Sequence, residues 1–201
     1  MGVCALWTDP HFRVFDYVGR QSKLDIYRYG TYWLVKSTPV WIQGFYHSRL
    51  KSRPSRSWMV KLAVGGPFLR GNSFMIEGTD LGLQVWWNEN AVLAGSTSGV
   101  TVFNASDSLV NASRHDSMSR KGRHTSLNVQ FPHDVSVYVQ SKPVRQGLNL
   151  CLDVAKIKSL QITGQDGHCG NFNLNGLDDS AFSLSKRGIM FPVSTNESLI
   201  P

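Results

Sequence analysis

The stretch 31–36 (TYWLVK), followed by 40–46 (VWIQGFY) and 58–64 (WMVKLAV), decides the fold of this 201-residue chain. Apolar residues recur there at a period near two, and aromatic and β-branched side chains dominate, as is typical of strands. Five further segments share this pattern between Gly, Pro, Asn or Ser residues: 73–77, 83–87, 100–103, 135–140 and 148–154. Eight short strands predict an all-β sandwich or barrel. A short helical turn is predicted only after Asp178 and Asp179, whose carboxylates are suited to cap it.

The composition narrows the class of protein further. Charged residues make up only 17% of the chain, which argues against a coiled coil or a disordered charged tail. No apolar window reaches the length of a membrane span. We expect one core domain over 1–186, followed by a tail or linker over 187–201. The net charge of +7 favours attraction to polyanions without naming one.

The sequence carries only weak signals of where in or outside the cell the protein is located. The first residues carry neither the basic nor the apolar region of a signal peptide, so the protein stays inside the cell or the sequence is a fragment. Three glycosylation sequons, at Asn104, Asn111 and Asn196, indicate a secreted glycoprotein. Chance matches in a chain rich in Ser and Asn are the alternative.

Two basic segments, 48–57 and 113–126, are predicted to be exposed loops. One hypothesis is a polyanion site for a heparin-like glycan, for which the candidate residues are Arg49, Lys51, Arg53 and Arg56. The alternative is a pair of solvated loops. No aromatic residues alternate with the charges, which disfavours stacking on nucleic-acid bases.

The segment 164–180 (GQDGHCGNFNLNGLDDS) carries the clearest chemical pattern. Asn171, Asn173 and Asn175 stand at alternate positions before a Gly, as in the first half of a calcium loop, and two aspartates follow. Phe182 occupies the twelfth position, where an EF-hand needs Glu, so an EF-hand is not predicted. An ordinary Asn- and Gly-rich turn is the alternative for this segment taken alone.

Two motifs resemble the signatures of the von Willebrand factor type D domain. We call residues 4–16 (CALWTDPHFRVFD) the start motif and residues 167–173 (GHCGNFN) the end motif. Between them, 30–35 (GTYWLV) is similar to an early strand of that domain. The resemblance covers about residues 4–184. It implies a β-sandwich-like module of secreted or cell-surface proteins that holds one Ca²⁺ between the start motif and the end loop.

The resemblance also implies particular residue roles. It implies a disulfide between Cys4 and Cys169. Carried over by position, the calcium ligands are Asp9, Asn171, Asn173, Asp178 and Asp179, with Asn175 or a neighbouring backbone carbonyl completing the shell.

The chain departs from the family at several positions. Asp166 stands where most members have a further cysteine, and Cys151 has no predicted partner, so we expect a buried thiol there. Thr8 replaces the Gly of the self-cleaving members, so efficient cleavage between Asp9 and Pro10 is not predicted.

These observations favour a non-enzymatic, calcium-stabilised extracellular module for adhesion, matrix or protein assembly. Its expected partners are other extracellular proteins or glycans, not nucleic acid. Two alternatives remain open: a self-processing or oxidase-type enzyme, and a polyanion-binding module that uses the basic loops.

Overall fold

The structure is a computed structural model, and it describes most of the chain. The described residues are 2–7, 11–16, 23–25, 27–47, 57–79, 82–93, 99–105, 107–120, 122–141, 152–159, 164–175 and 177–201. Within them the protein forms two antiparallel sheets that pack as a β-sandwich. The all-β prediction is therefore confirmed, in its sandwich form.

The chain starts in the larger sheet, builds the smaller sheet and then returns. The first strands are β1 (Gly2–Trp7), β2 (His11–Arg13) and β3 (Lys23–Asp25). The smaller sheet follows as β4 (Gly30–Lys36), β5 (Trp41–His47), β6 (Trp58–Gly65), β7 (Phe74–Thr79), β8 (Gly82–Trp87) and β9 (Asn90–Ala91). The remaining strands are β10 (Gly99–Asn104), β11 (Asn111–Ser119), β12 (Gly122–Gln130), β13 (Ser136–Ser141) and β14 (Leu152–Ser159).

The sheet order brings the two ends of the chain together. The larger sheet runs β10-β11-β12-β13-β14-β1-β2-β3, and the smaller one runs from β4 to β9 in sequence. Strand β1 pairs along its length with β14, from Gly2 opposite Ser159 to Trp7 opposite Val154. The first strand, β1, is thus an inner strand of its sheet, beside β14, the last strand among the described residues.

The core lies between the sheets, where β6 contacts β14 and β8 contacts β12. In β7 and β13 alternate residues point inward: Phe74 and Ile76 are buried in β7, and Val137 and Val139 are buried in β13. This alternation is the signal that the sequence carried, and seven of the eight predicted strands match observed strands closely. For the eighth, residues 148–151 lie outside the described part, and β14 extends to Ser159.

The prediction that 113–126 is an exposed loop is wrong. These residues lie in the hairpin of β11 and β12, and Arg114 is only 1% exposed. Arg114 forms a two-bond ion pair with Asp116 and donates to the carbonyl of Leu83 in β8. Two charged side chains of the segment, Arg114 and Asp116, are buried on the inner face and paired with each other, which the composition of the segment does not reveal.

The predicted C-terminal helical turn is present as α1 (Ala181–Lys186). Its N-cap is Ser180, whose hydroxyl oxygen accepts a hydrogen bond from the N–H of Ser183 at 3.3 Å. The expectation that Asp178 or Asp179 caps the helix is wrong, because both carboxylates bind groups of the preceding loop. Across the described part of the chain, no helix combines the length and apolar character needed to cross a membrane.

The segment 187–201, predicted as a tail or linker, is packed against the smaller sheet. The amide of Gln43 on β5 donates to the carbonyl of Glu197 at 2.8 Å and accepts from the N–H of Leu199 at 2.7 Å. The N–H of Val193 donates to Thr31 on β4 at 2.8 Å. This cover explains why four consecutive residues of β4, 32–35, are buried on both faces.

Candidate functional site

The start and end motifs are in direct contact. Cys4 on β1 and Cys169 form a disulfide with an S–S distance of 2.08 Å, which is the pairing implied by the resemblance. The N–H of Phe15 donates to the carbonyl of Cys169 at 2.9 Å, and the rings of Phe15 and Phe172 stack 5.1 Å apart. We call this contact between the two motifs the clasp.

The clasp also joins the two sheets. Asp166 forms a bridge with Lys36 on β4, and the N–H groups of His168 and Cys169 donate to β4 carbonyls at 2.8 and 3.0 Å. Gly167 is required here because it has a φ of +136° and because a Cβ would clash with the backbone of Leu34. The end motif therefore lies along an edge of the smaller sheet while its cysteine is bonded to the larger one.

Asp16, the last residue of the start motif, holds the end loop. Its two carboxylate oxygens accept the N–H groups of Asn173 at 2.8 Å and Leu174 at 3.1 Å. Phe172 and Leu174 both have positive φ, of 53° and 69°, so the loop backbone is tightly turned. Asp16 was not among the predicted site residues, although it belongs to the motif that carries the resemblance.

The loop side chains form a connected network. Oδ2 of Asp178 accepts from the amide nitrogens of Asn171 at 3.2 Å and Asn173 at 2.7 Å. Oδ1 of Asp179 accepts from the N–H of Asn171 at 3.2 Å. The amide oxygens of Asn173 and Asn175 accept backbone N–H groups two residues ahead, as in Asx turns.

Three oxygens of this network stand apart from the rest. Among the described residues, Oδ1 of Asn171, Oδ1 of Asp178 and Oδ2 of Asp179 are shielded from solvent and have no hydrogen-bond partner. An unsatisfied buried polar group typically costs about 1–3 kcal/mol, so a ligand that binds all three oxygens would stabilise the loop. All three are hard oxygen donors, and two belong to carboxylates, which is the chemistry of a Ca²⁺ site.

By the chemistry of their donors, these three oxygens are suited to a calcium ion. Within the described residues, no cluster of three or more His, Cys, Asp or Glu side chains is arranged to hold a metal. A cation here would accordingly depend on the amide oxygen of Asn171 beside the carboxylates of Asp178 and Asp179. Asp9, the remaining carboxylate of the predicted set, lies outside the described residues.

Asp179 is buried, and its electrostatics favour a positive partner. Desolvation raises the pKa of Asp179 to about 6, and the charge of Asp178 adds to this effect. The N–H of Asn171 and the guanidinium of Arg187 oppose it. Gly170 makes room for this carboxylate, because a Cβ at that position would overlap Oδ2 of Asp179.

Arg187, just after α1, binds Asp166 and the two aspartates of the loop. Its guanidinium donates to both oxygens of Asp166 at 2.8 and 3.0 Å and to Oδ1 of Asp179 at 3.2 Å. It also donates to the backbone carbonyl of Asp178 at 2.6 Å. Burial alone would lower the pKa of Arg187, but the hydrogen bonds and charges of Asp166 and Asp179 raise it. Arg187 was not among the predicted site residues, and it lies beyond the predicted domain.

His168 lies behind the disulfide in an aromatic pocket. Its ring is fully buried, with its centroid 5.1 Å from that of Tyr32, 5.6 Å from Phe12 and 6.1 Å from Tyr46. Desolvation lowers the pKa of His168 to about 3, and the backbone carbonyl of Ile189 opposes this only in part. The ring is therefore neutral in the folded protein at ordinary pH.

The other predicted sites fall in different places. Arg49, Lys51, Arg53 and Arg56, the candidate polyanion residues, and Cys151 lie outside the described residues. The sequon residues Asn104 and Asn111 are exposed and stand directly opposite each other on β10 and β11, and Asn196 is also exposed.

Comparison with known proteins leaves the geometry as the main guide to function. The chain matches no protein-family model, and no curated protein matches its sequence.

Proposed function

We propose that this protein is a calcium-stabilised extracellular β module of the von Willebrand type D kind, which serves in adhesion, matrix or protein assembly. The observation that carries the proposal is the set of three unpartnered oxygens on Asn171, Asp178 and Asp179. Bound there, Ca²⁺ would supply positive charge to the buried carboxylate of Asp179 and to the shielded oxygen of Asp178.

The disulfide supports the extracellular part of the proposal. Structural disulfides persist in oxidising compartments and are uncommon in the cytosol. The bond between Cys4 and Cys169 encloses a separation of 165 residues and fastens the first strand to the end motif. The exposed sequons at Asn104, Asn111 and Asn196 agree with passage through a secretory pathway.

The roles of the polar residues near the disulfide favour an assembly module over an enzyme. Cys169 is bonded to Cys4 and His168 is enclosed by aromatic rings, so neither is placed to act as nucleophile or base. Asp16 and Asp166 are used to hold backbone and guanidinium groups. The polar groups of the site thus hold the start and end motifs together.

A calcium titration followed by thermal unfolding tests the proposal. Calcium at tenfold above its Kd should raise the Tm by about 3–6 °C, because a ligand that binds only the folded state stabilises it. The shift should disappear with EDTA and in Asp178→Asn and Asp179→Asn. Asp134→Asn, which makes the same charge change on an exposed turn, should keep it. A wild-type Tm that does not change with calcium would contradict the proposed calcium site.

A further inference from the structure

Arg187 places a fixed positive charge on the same carboxylate that faces the candidate cation. Asp179 presents Oδ1 to the guanidinium and to the N–H of Asn171, while its Oδ2 is one of the three unpartnered oxygens. A cation on Oδ2 and the guanidinium on Oδ1 would therefore share one carboxylate. Two positive charges on one carboxylate repel each other, and the repulsion is weakly screened because Asp179 is 1% exposed.

The charge around the loop is correspondingly small. Among the described residues around the loop, only Asp178 and Asp179 offer buried carboxylate oxygens without a partner, and Arg187 offsets part of their negative charge. The affinity of a calcium site rises with the charge of its ligands, and sites of low charge in extracellular modules bind at about 10⁻⁴–10⁻³ M. A guanidinium beside one of two carboxylate ligands would lower the calcium affinity of the loop further.

Other hydrogen bonds and the disulfide hold the loop of residues 171–179 without Arg187. The N–H of Asn171 holds the same oxygen of Asp179, the carboxylate of Asp16 holds Asn173 and Leu174, and the disulfide fixes Cys169. Loss of the guanidinium would therefore remove repulsion without releasing Asp179. For calcium binding, the electrostatic gain should exceed the loss of order.

We propose that Arg187 is the resident counter-cation of the loop: it keeps the loop closed without calcium and holds the calcium affinity in the weak, extracellular range. The inference rests on the proposed function, because it concerns the same site. It makes Arg187 a positioning residue whose removal tightens calcium binding, whereas a purely structural role would make its removal weaken binding.

Calorimetric titration with Ca²⁺ of the full chain, disulfide intact, tests this inference. Arg187→Gln should bind calcium at least about tenfold more tightly than the wild type, and its calcium-free form should melt at a lower temperature. Lys186→Gln is the matched control. Its ammonium lies over the ring of Phe182 at 4.5 Å, so the same charge change one residue away should alter the affinity by less than about twofold.

The outcomes separate this inference from the proposed function. Equal or weaker binding by Arg187→Gln, with a wild type that does bind, would overturn the inference and leave the calcium site intact. Binding by Arg187→Gln alone, with a silent wild type at about 10 mM Ca²⁺, would support the inference and defeat the proposed function. No binding by either protein would overturn both.

A second variant covers the case in which Arg187→Gln does not fold. Asp166→Asn retains the guanidinium but removes its two-bond partner, so the full positive charge acts on Asp179. Calcium binding should then weaken at least about threefold. Unchanged or tighter binding by a folded Asp166→Asn would contradict the role assigned to Arg187.

Discussion

At the scale of single residues, two ionisable side chains are buried in surroundings that shift their pKa values. Asp179 is buried beside unpartnered oxygens, and His168 is buried among aromatic rings. The two groups respond to acid in opposite directions. Desolvation places the pKa of Asp179 above that of a free carboxyl and the pKa of His168 below that of a free imidazole.

His168 makes the fold sensitive to acid. Its pKa is about 3 in the folded protein and near 6.5 when unfolded, so the unfolded state binds more protons between these values. The contribution of neutral His168 is present above pH 6.5 and is lost as the pH falls toward 3. In EDTA, the free energy of unfolding of the wild type should fall by about 2 kcal/mol more between pH 7 and pH 5 than that of His168→Phe.

The comparison with His168→Phe isolates this residue, because Asp179 is common to both proteins and its opposite effect cancels. His115→Gln, at an exposed position of β11, should show the pH dependence of the wild type. Parallel pH profiles for the wild type and His168→Phe would show that the buried ring does not govern acid sensitivity. Denaturant unfolding at several pH values provides the measurement.

Only part of this residue-level arrangement could be predicted from the sequence. The cysteine pair came from the resemblance, and the Asn and Asp residues came from their spacing. Asp16 and Arg187 were missed because their partners are 157 and 21 residues away in the chain, and spacing within one segment carries no signal of such contacts. His168 was noted only as a neighbour of Cys169.

At the scale of elements, strands were predicted well and charged segments were predicted poorly. Alternation of apolar residues marks β4 to β8 because each of these strands has an inner apolar face. In β11 the inner face carries Arg114 and Asp116. Inward and outward residues alternate there too, but the inward residues are charged instead of apolar. The 187–201 segment is about as apolar as the rest of the chain, but its attachment includes hydrogen bonds to Gln43 on β5, which no pattern within the segment indicates.

Loss of one partner of the ion pair within β11 should destabilise the protein more than loss of both partners. Arg114→Met leaves Asp116 buried with Thr125 as a hydrogen-bond donor and should cost about 3–5 kcal/mol of unfolding free energy. The double variant Arg114→Met/Asp116→Leu removes both charges and should recover most of that loss. Denaturant unfolding of the three proteins gives the coupling. Equal destabilisation in the single and double variants would contradict this account.

The C-terminal segment should contribute to stability through Gln43. Gln43→Met removes two hydrogen bonds to residues 197 and 199 and should lower the unfolding free energy by about 1–3 kcal/mol. Lys36→Gln breaks only the half-exposed ion pair with Glu197 and should cost less than about 1 kcal/mol. Similar losses in both variants would mean that Gln43 does not anchor the segment.

At the scale of the whole molecule, the sandwich is closed where its first and last motifs meet. The disulfide, the bonds from Asp16 and the edge pairing of the end motif with β4 act on one junction of the two sheets. The meeting of the two motifs was expected from the resemblance alone, because composition and periodicity do not report which distant segments touch. The order of strands that carries it, with β1 between β14 and β2, had no signal in the sequence.

Removing the disulfide should destabilise the whole molecule. In the chain-entropy model a bridge across a separation of 165 residues is worth about 5 kcal/mol, before any relaxation of the native state. The double variant Cys4→Ser/Cys169→Ser should therefore lose several kcal/mol of unfolding free energy. A loss below about 1 kcal/mol would show that the hydrogen bonds of Phe15 and Asp16 hold the clasp without it.

The central claim is that the disulfide and the cation loop stabilise one closure, and the calcium affinity of the disulfide-free protein tests it most directly. We expect Ca²⁺ to bind the double serine variant, under conditions where it is folded, at least about fivefold more weakly than the oxidised wild type, as coupled sites require. Equal calcium affinity in the two proteins would contradict the claim.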